Sequence, residues 1–175
     1  MGAGVLPVSL YRGTILILLG QERSNNLWCD FGGSHNKNEK PFDTAIREGV
    51  EELNGLLGDD KKLKKIVSDN SILTIRNNND KYISYLFSIK YDENIENYFN
   101  NLNKFAEVHL SDKINNHHNG LFEKKAVKWY SINDFKNTNT DNRKLLRPHY
   151  LNIVDSIYNN KNLIKDELNK QLKTK

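Results

Sequence analysis

Gly33-Ser-His-Asn-Lys-Asn-Glu39-Lys-Pro41-Phe-Asp-Thr-Ala-Ile-Arg47-Glu48-Gly-Val-Glu51-Glu52-Leu-Asn-Gly55 is the most informative stretch of this 175-residue chain. Pro41 suits the first turn of a helix, where its missing N–H leaves no bond unmade. Asn54-Gly55 suits the end of one, because both residues tolerate a left-handed backbone. A helix is therefore predicted from Pro41 to Leu53, entered through the polar loop Ser34 to Lys40. At about 100° per residue, Glu48, Glu51 and Glu52 share roughly 100° of its surface, and Phe42, Ala45, Ile46, Val50 and Leu53 lie largely opposite. One face packs and the other is acidic. Three carboxylates this close repel one another unless a cation neutralises them, and a hard ion, Mg²⁺ or Mn²⁺, suits such oxygens. Arg47, four residues before Glu51, can pair with it or with Glu39 upstream.

Working outward, Gly4 to Tyr11 and Thr14 to Leu19 flank Arg12-Gly13 as a buried strand pair, and Leu27 to Phe31 is a short extended piece running into Gly32-Gly33. Downstream, Asp59 to Val67 reads as a short basic helix, and Ser71 to Arg76 with Lys81 to Tyr91 as a long hairpin about an Asn-rich turn. Ile95, Phe99, Leu102 and Phe105 recur at helical spacing, Ala126 to Tyr130 is extended, and His149, Tyr150, Ile153, Val154 and Ile157 mark a last packed helix. The Lys-rich end past Asn159 is expected to be frayed or solvated. Strands and helices mixed in this order predict an α/β or α+β sandwich without internal repeats.

Composition bounds the function. The length fits one domain. The longest apolar run, Thr14 to Leu19, is far below the roughly 20 residues of a membrane-spanning helix, and the N-terminus lacks the layout of a signal peptide. A single cysteine, Cys29, forms no internal disulfide and fits a reducing compartment, so a cytoplasmic, intracellular location is expected. A net charge of +4 leans weakly toward polyanionic partners.

An acidic stretch such as Arg-Glu-x-x-Glu-Glu alone is most simply a solvated helix face. The longer spacing decides otherwise. Gly33, Glu39, Arg47, Glu48, Glu51 and Glu52 resemble the Nudix box, G-x5-E-x7-R-E-U-x-E-E-x-G-U, an alignment that chance would produce on the order of a few times per million sequences of this composition. Trp28 to Gly33 and the later Trp129-Tyr-Ser-Ile-Asn-Asp-Phe are also similar to that family, so the resemblance spans roughly residues 3 to 158. Two positions depart from the box. Gly49 stands where a bulky apolar residue is usual, which implies either close approach to the sheet or a gap, and Asn54 stands where the box has Gly.

The resemblance implies an α/β/α sandwich with a mixed β-sheet and a catalytic loop-helix-loop, residues 1–158 forming one domain and 159–175 a basic helical tail. It implies a hydrolase of nucleoside diphosphate-linked compounds, with Mg²⁺ or Mn²⁺ as cofactor. Glu48 and Glu52 would be metal ligands, Glu51 a further ligand or the base, the Gly33 carbonyl another ligand, and Glu39 and Arg47 supporting residues. A glutamate outside the box often assists; Glu107 and Glu123 are the candidates, Glu123 ahead because it precedes the Trp129 strand. Substrate classes left open are nucleotides, capped or triphosphorylated RNA 5′ ends, and diphosphoinositol polyphosphates, and a non-catalytic ligand-binding module is the alternative to an enzyme.

Other residues carry two readings. Arg23 could hold a phosphate or be solvated. Trp28, Phe31 or Tyr85 could stack on a base, with core packing expected for at least two of them. His117-His118 lacks a recognised metal spacing and reads as loop. Cys29 reads as a small buried residue rather than a nucleophile. Arg143, Lys144 and Arg147 could form a basic rim or be solvated.

Overall fold

The computed structural model describes residues 1–77, 79–114, 121–136 and 141–173. β1 (Gly2–Tyr11) and β2 (Thr14–Glu22) form the predicted strand pair. Arg12 and Gly13 turn between them with φ of 48° and 78°. Two successive positive φ values are what a two-residue hairpin needs to follow the right-handed twist of its strands. Beyond the turn β1 and β2 diverge. β3 (Trp28–Cys29) and β4 (Phe31–Ser34) fill the fork, β3 pairing with β2 at Gly20 and Gln21 and β4 with β1 from Gly2 to Val5.

α1 (Pro41–Glu52) and α2 (Asp60–Asp69) follow, then β5 (Ser71–Arg76) and β6 (Tyr82–Ser88) as the expected antiparallel hairpin. β6 also runs parallel to β1, which makes the sheet mixed. α3 (Ile95–His109) and the single turn α4 (Ser111–Ile114) lead toward β7 (Lys124–Ser131), which pairs with the outer edge of β2. A turn of 3₁₀ helix capped by Ser131 and Asp134, the short α5 (Asp141–Lys144), α6 (Leu151–Asn159) and α7 (Lys161–Lys173) complete the described chain.

Alternation along the strands explains the layers, since neighbouring side chains point to opposite faces. Ala3 and Val5 of β1 join Ala45, Ile46, Leu63 and Phe99 under α1, α2 and α3. Leu6 and Val8 of the same strand join Ile153, Ile157 and Ile164 under α6 and α7. Each face of the sheet is thus covered by helices, the predicted α/β/α sandwich. Among the described residues, no helix is long and apolar enough to cross a membrane.

Two expectations are corrected. On α3 the buried positions run Ile95, Phe99, Asn103 and Ala106, while Phe105 is 55% exposed. The packed stripe rotates with the 3.6-residue period and leaves Phe105 beside it. The end past Asn159 is not frayed: α7 buries Ile164 and Leu168, an i, i+4 pair lying one above the other on one helix face.

Candidate active site

The acidic helix is held against the sheet by a missing side chain. A Cβ on Gly49 would stand 2.6 Å from Cγ2 of Val5 and 3.1 Å from Cδ2 of Leu63. Gly49 therefore serves close approach and leaves no gap. The second departure from the box has an equally local reason. Asn54 adopts a left-handed backbone at φ 51°, and its Oδ1 accepts from the N–H of Phe122 at 2.9 Å, tying the helix end to the segment that enters β7.

The carboxylates fall into an outer and an inner group. Outside, Arg47 gathers the acids around one guanidinium: Nε donates to Glu39 Oε1 at 3.0 Å, and Nη1 to Glu48 Oε1 at 2.8 Å and Glu51 Oε2 at 3.3 Å. Its Nη2 donates to the Ser34 carbonyl at 3.1 Å, so the same side chain fixes the loop before the helix. These hydrogen bonds from Arg47 hold Glu39 down at about 2. Glu51 moves the other way: burial raises it, Arg47 opposes, and the negative charges of Glu48 and Glu123 add to the rise. Glu48 presses on the chain at Gly33, where a Cβ would lie 2.5 Å from its carboxylate carbon. Only glycine permits that approach.

Inside, Glu52 is 3% exposed and faces away from solvent. Its Oε2 accepts from the Gly32 N–H at 2.6 Å, and its Oε1 lies 3.2 Å from Nζ of Lys124. Lys124 is fully buried, with Glu22 Oε1 at 2.6 Å and Cys29 Sγ at 3.1 Å. Arg147 Nη1 donates to the same Glu22 oxygen at 2.9 Å. Burial by itself would strip the proton from Lys124, but Glu52, Cys29 and Glu22 outweigh it and the ammonium persists. Burial likewise works to raise Glu22, yet Lys124 and Arg147 together leave it lowered and ionised. Glu52, the more distant partner, is pushed up to about 8 by burial despite Lys124. The fixed pair is Glu22 with Lys124, and of the two carboxylates Glu52 holds its proton longer.

The remaining candidates are placed as follows. Arg23 clamps neighbouring segments, its Nε donating to Phe122 O at 3.0 Å, Nη1 to Glu107 at 2.8 Å and Nη2 to Asn103 at 3.0 Å. It lines a cavity of about 310 Å³ with Glu22, Phe122 and Glu123. Trp28 and Phe31 are the two that pack in the core rather than offering a stacking surface: Trp28 lies edge-on to Tyr130 and Phe31 is fully buried beneath the acidic helix. Tyr85 is half-buried, edge-on to Phe42. Of the two outside glutamates, Glu107 is drawn off by Arg23, whereas the charge of Glu123 acts on Glu51. The basic rim dissolves into ion pairs: Arg143 with Asp155, Lys144 with Asp141, Arg147 with Glu22. His117 and His118 lie outside the described residues. Burial pushes the Cys29 thiol up to about 12, which agrees with an inert role.

Sequence reasoning passed over Lys124 and Glu22. The available signal was a charged residue at an inward position at a strand end, Lys124 at the start of β7 and Glu22 at the close of β2. Asp30 was missed too: it is fully buried, accepts from Tyr82 Oη at 2.7 Å and Ser84 Oγ at 2.6 Å, and is raised to about 6 by burial.

For a divalent cation, the outer oxygens of Glu48 and Glu51 have the right hardness and partial exposure, whereas both oxygens of Glu52 are engaged by Lys124 and Gly32. Among the described residues, no three His, Cys, Asp or Glu side chains already stand as a metal cage. The donor chemistry fits on the outer side and not on the inner side.

No protein-family profile matches the chain, and no curated protein matches it. Solved structures do. An Ap4A hydrolase binary complex from C. elegans aligns over 91% of this chain and 96% of its own, at 17% identity and a TM-score of 0.53. A Nudix hydrolase from M. smegmatis, RenU, aligns over 94% and 87% at 12% identity and a TM-score of 0.50. A bifunctional NMN adenylyltransferase/ADP ribose pyrophosphatase from Francisella tularensis, complexed with AMP and a manganese ion, aligns over 90% of this chain and 40% of its own, at 18% identity and a TM-score of 0.51. The chain has the Nudix fold.

Proposed function

We propose that this chain is a metal-dependent pyrophosphohydrolase that cleaves a phosphoanhydride in a nucleoside diphosphate-linked substrate, a nucleotide or a capped or triphosphorylated RNA end. The observation that carries the reading is the outer carboxylate group: Glu48 and Glu51 converge on one nitrogen of Arg47, with Glu48 pressed against Gly33. Glu48, Glu51 and the Gly33 carbonyl are the groups that would hold Mg²⁺ or Mn²⁺; Glu52 would join them only by leaving Lys124. Such an ion supplies the positive charge that screens a pyrophosphate from its attacking water.

The chain's own side chains supply the rest. Arg47 orients Glu48 and Glu51 and keeps their mutual repulsion in check. Glu51, raised by burial and by its acidic neighbours, is the carboxylate that takes a proton from the attacking water when it is not itself a ligand. Glu123 keeps the surroundings of Glu51 anionic. Similarity to structures named for Ap4A hydrolysis and ADP ribose pyrophosphatase activity supports a nucleotide-linked substrate over a diphosphoinositol polyphosphate.

The test is hydrolysis of a panel with Mg²⁺ or Mn²⁺: dinucleoside polyphosphates, ADP-ribose, NTPs, capped RNA and diphosphoinositol phosphates. Glu51→Gln should lower turnover of the accepted substrate by about 10²-fold or more if it removes the base. Equal rates for Glu48→Gln, Glu51→Gln and wild type on every substrate would overturn the assignment. A second reading, a non-catalytic binding module, is favoured by the Lys124–Glu52 contact, which takes one box carboxylate out of use. Calorimetric binding of one panel member without turnover would establish it.

A further inference from the structure

Three side chains converge on the ammonium of Lys124. Glu22 Oε1, Cys29 Sγ and Glu52 Oε1 stand 2.6, 3.1 and 3.2 Å from one nitrogen, beneath the acidic helix and away from water. The stem that delivers this nitrogen has a prepared path. A Cβ on Gly20 would fall 3.0 Å from both Cγ and Cδ of Lys124 and 2.8 Å from Phe31, so the absence of a side chain on β2 opens the channel through which the lysine runs. Arg147 shares the Glu22 oxygen that Lys124 holds. Among oxygen and sulfur donors in a dry interior positive charge is needed, and the chain itself provides it through Lys124 and, at Glu22, Arg147.

We propose that Lys124 closes the inner half of the acidic helix to metal, its ammonium set against Glu52, Glu22 and Cys29 so that Glu52 offers a divalent ion no free oxygen. Any divalent ion this chain binds is then confined to the outer carboxylates, Glu48 and Glu51. Lys124 is a positioning residue: it fixes Glu52, which in turn holds the Gly32 N–H and with it the backbone leading to Gly33. The inference shares the outer ion with the pyrophosphohydrolase reading and rests on it only there.

The test reads Mn²⁺ binding by electron paramagnetic resonance, on the full chain at pH 8. Glu48→Gln should weaken Mn²⁺ about tenfold or more, while Glu52→Gln should leave it within about twofold; a tenfold change is about 1.4 kcal/mol. Lys124→Met keeps the unbranched stem and removes the charge, and it should take up one more Mn²⁺ than wild type. Its thermal midpoint, lowered without metal, should rise with saturating Mn²⁺ by about 5–10 °C more than that of wild type. The double variant Lys124→Met/Glu52→Gln should lose both the additional ion and the added rise.

Equal weakening by Glu48→Gln and Glu52→Gln overturns the proposal. So does a Lys124→Met chain that binds no more Mn²⁺ than wild type, including the case in which neither binds any. If Lys124→Met does not fold with or without Mn²⁺, the Glu48→Gln and Glu52→Gln pair alone decides. Hydrolysis is read in none of these arms. A chain that binds Mn²⁺ through Glu48 and cleaves nothing keeps this inference and loses the hydrolase reading; a hydrolase whose Mn²⁺ depends on Glu52 does the reverse.

Discussion

Gly49 lies so close to Val5 that a Cβ on the glycine would come within 2.6 Å of the valine Cγ2. Helix propensity favours Ala over Gly by about 1 kcal/mol, so Gly49→Ala would stabilise an isolated helix. Here the added methyl meets a β-branched side chain fixed in the central strand, and overpacking costs about 1–3 kcal/mol. The two effects oppose, and the clash prevails because Val5 is fully buried beneath the helix. Gly49→Ala is expected to destabilise the fold by about 1–2 kcal/mol in urea denaturation; a gain in stability would show that the helix can lift from the sheet.

Arg47 and Glu39 set an acid-limb signature. Glu39 lies near 2 in the folded chain against an ordinary value of 4.5, because Arg47 bonds its ionised form. A carboxylate with a lowered folded value contributes stability that is present above the unfolded value and is lost as pH falls toward the folded one. Wild type should therefore lose stability between about pH 4.5 and 2 more steeply than Arg47→Met, in which Glu39 returns toward its ordinary range. Parallel acid limbs for the two proteins, measured by denaturation at each pH, would refute the pairing.

Cys29 is 2% exposed and its thiol is pushed up to about 12, so little reactive thiolate exists near neutral pH and little reagent reaches it. A disulfide-exchange reagent should label the native protein only on the timescale of unfolding, and the unfolded protein at once. Rapid labelling of the folded chain would place the thiol in contact with solvent.

The last helix is part of the core. Ile164 is fully buried on α7. Ile164→Ala should cost about 2–4 kcal/mol, as large-to-small core changes do, whereas Leu163→Ala, at a site 46% exposed, should cost well under 1 kcal/mol. Equal effects in thermal or chemical unfolding would mean that α7 is not docked.

Local patterns made α1, the β1–β2 hairpin and the β5–β6 hairpin legible, because each rests on neighbours in the chain: Pro41 and Asn54 at the helix ends, Arg12-Gly13 at a turn, alternation from Tyr82 to Ser88. Arg47 with Glu39 and Glu51 was legible for the same reason, since loop and helix bring them together within a few residues. The docking of α7 was hidden because four apolar residues scattered among lysines and other polar residues, only two of them buried, give a weak signal until a sheet face is available to cover them.

By itself the sequence determined the acidic helix, the spacing of its glutamates and the order of strands and helices, all consequences of backbone periodicity and short-range sterics. Only the tertiary structure decided how those glutamates divide. Lys124 is 72 residues from Glu52 along the chain, and the pairing of β7 with β2 is what carries its ammonium under the helix. Burial then converts that contact from a weak surface pair into a strong constraint, since a charge removed from water must find its partner inside the protein.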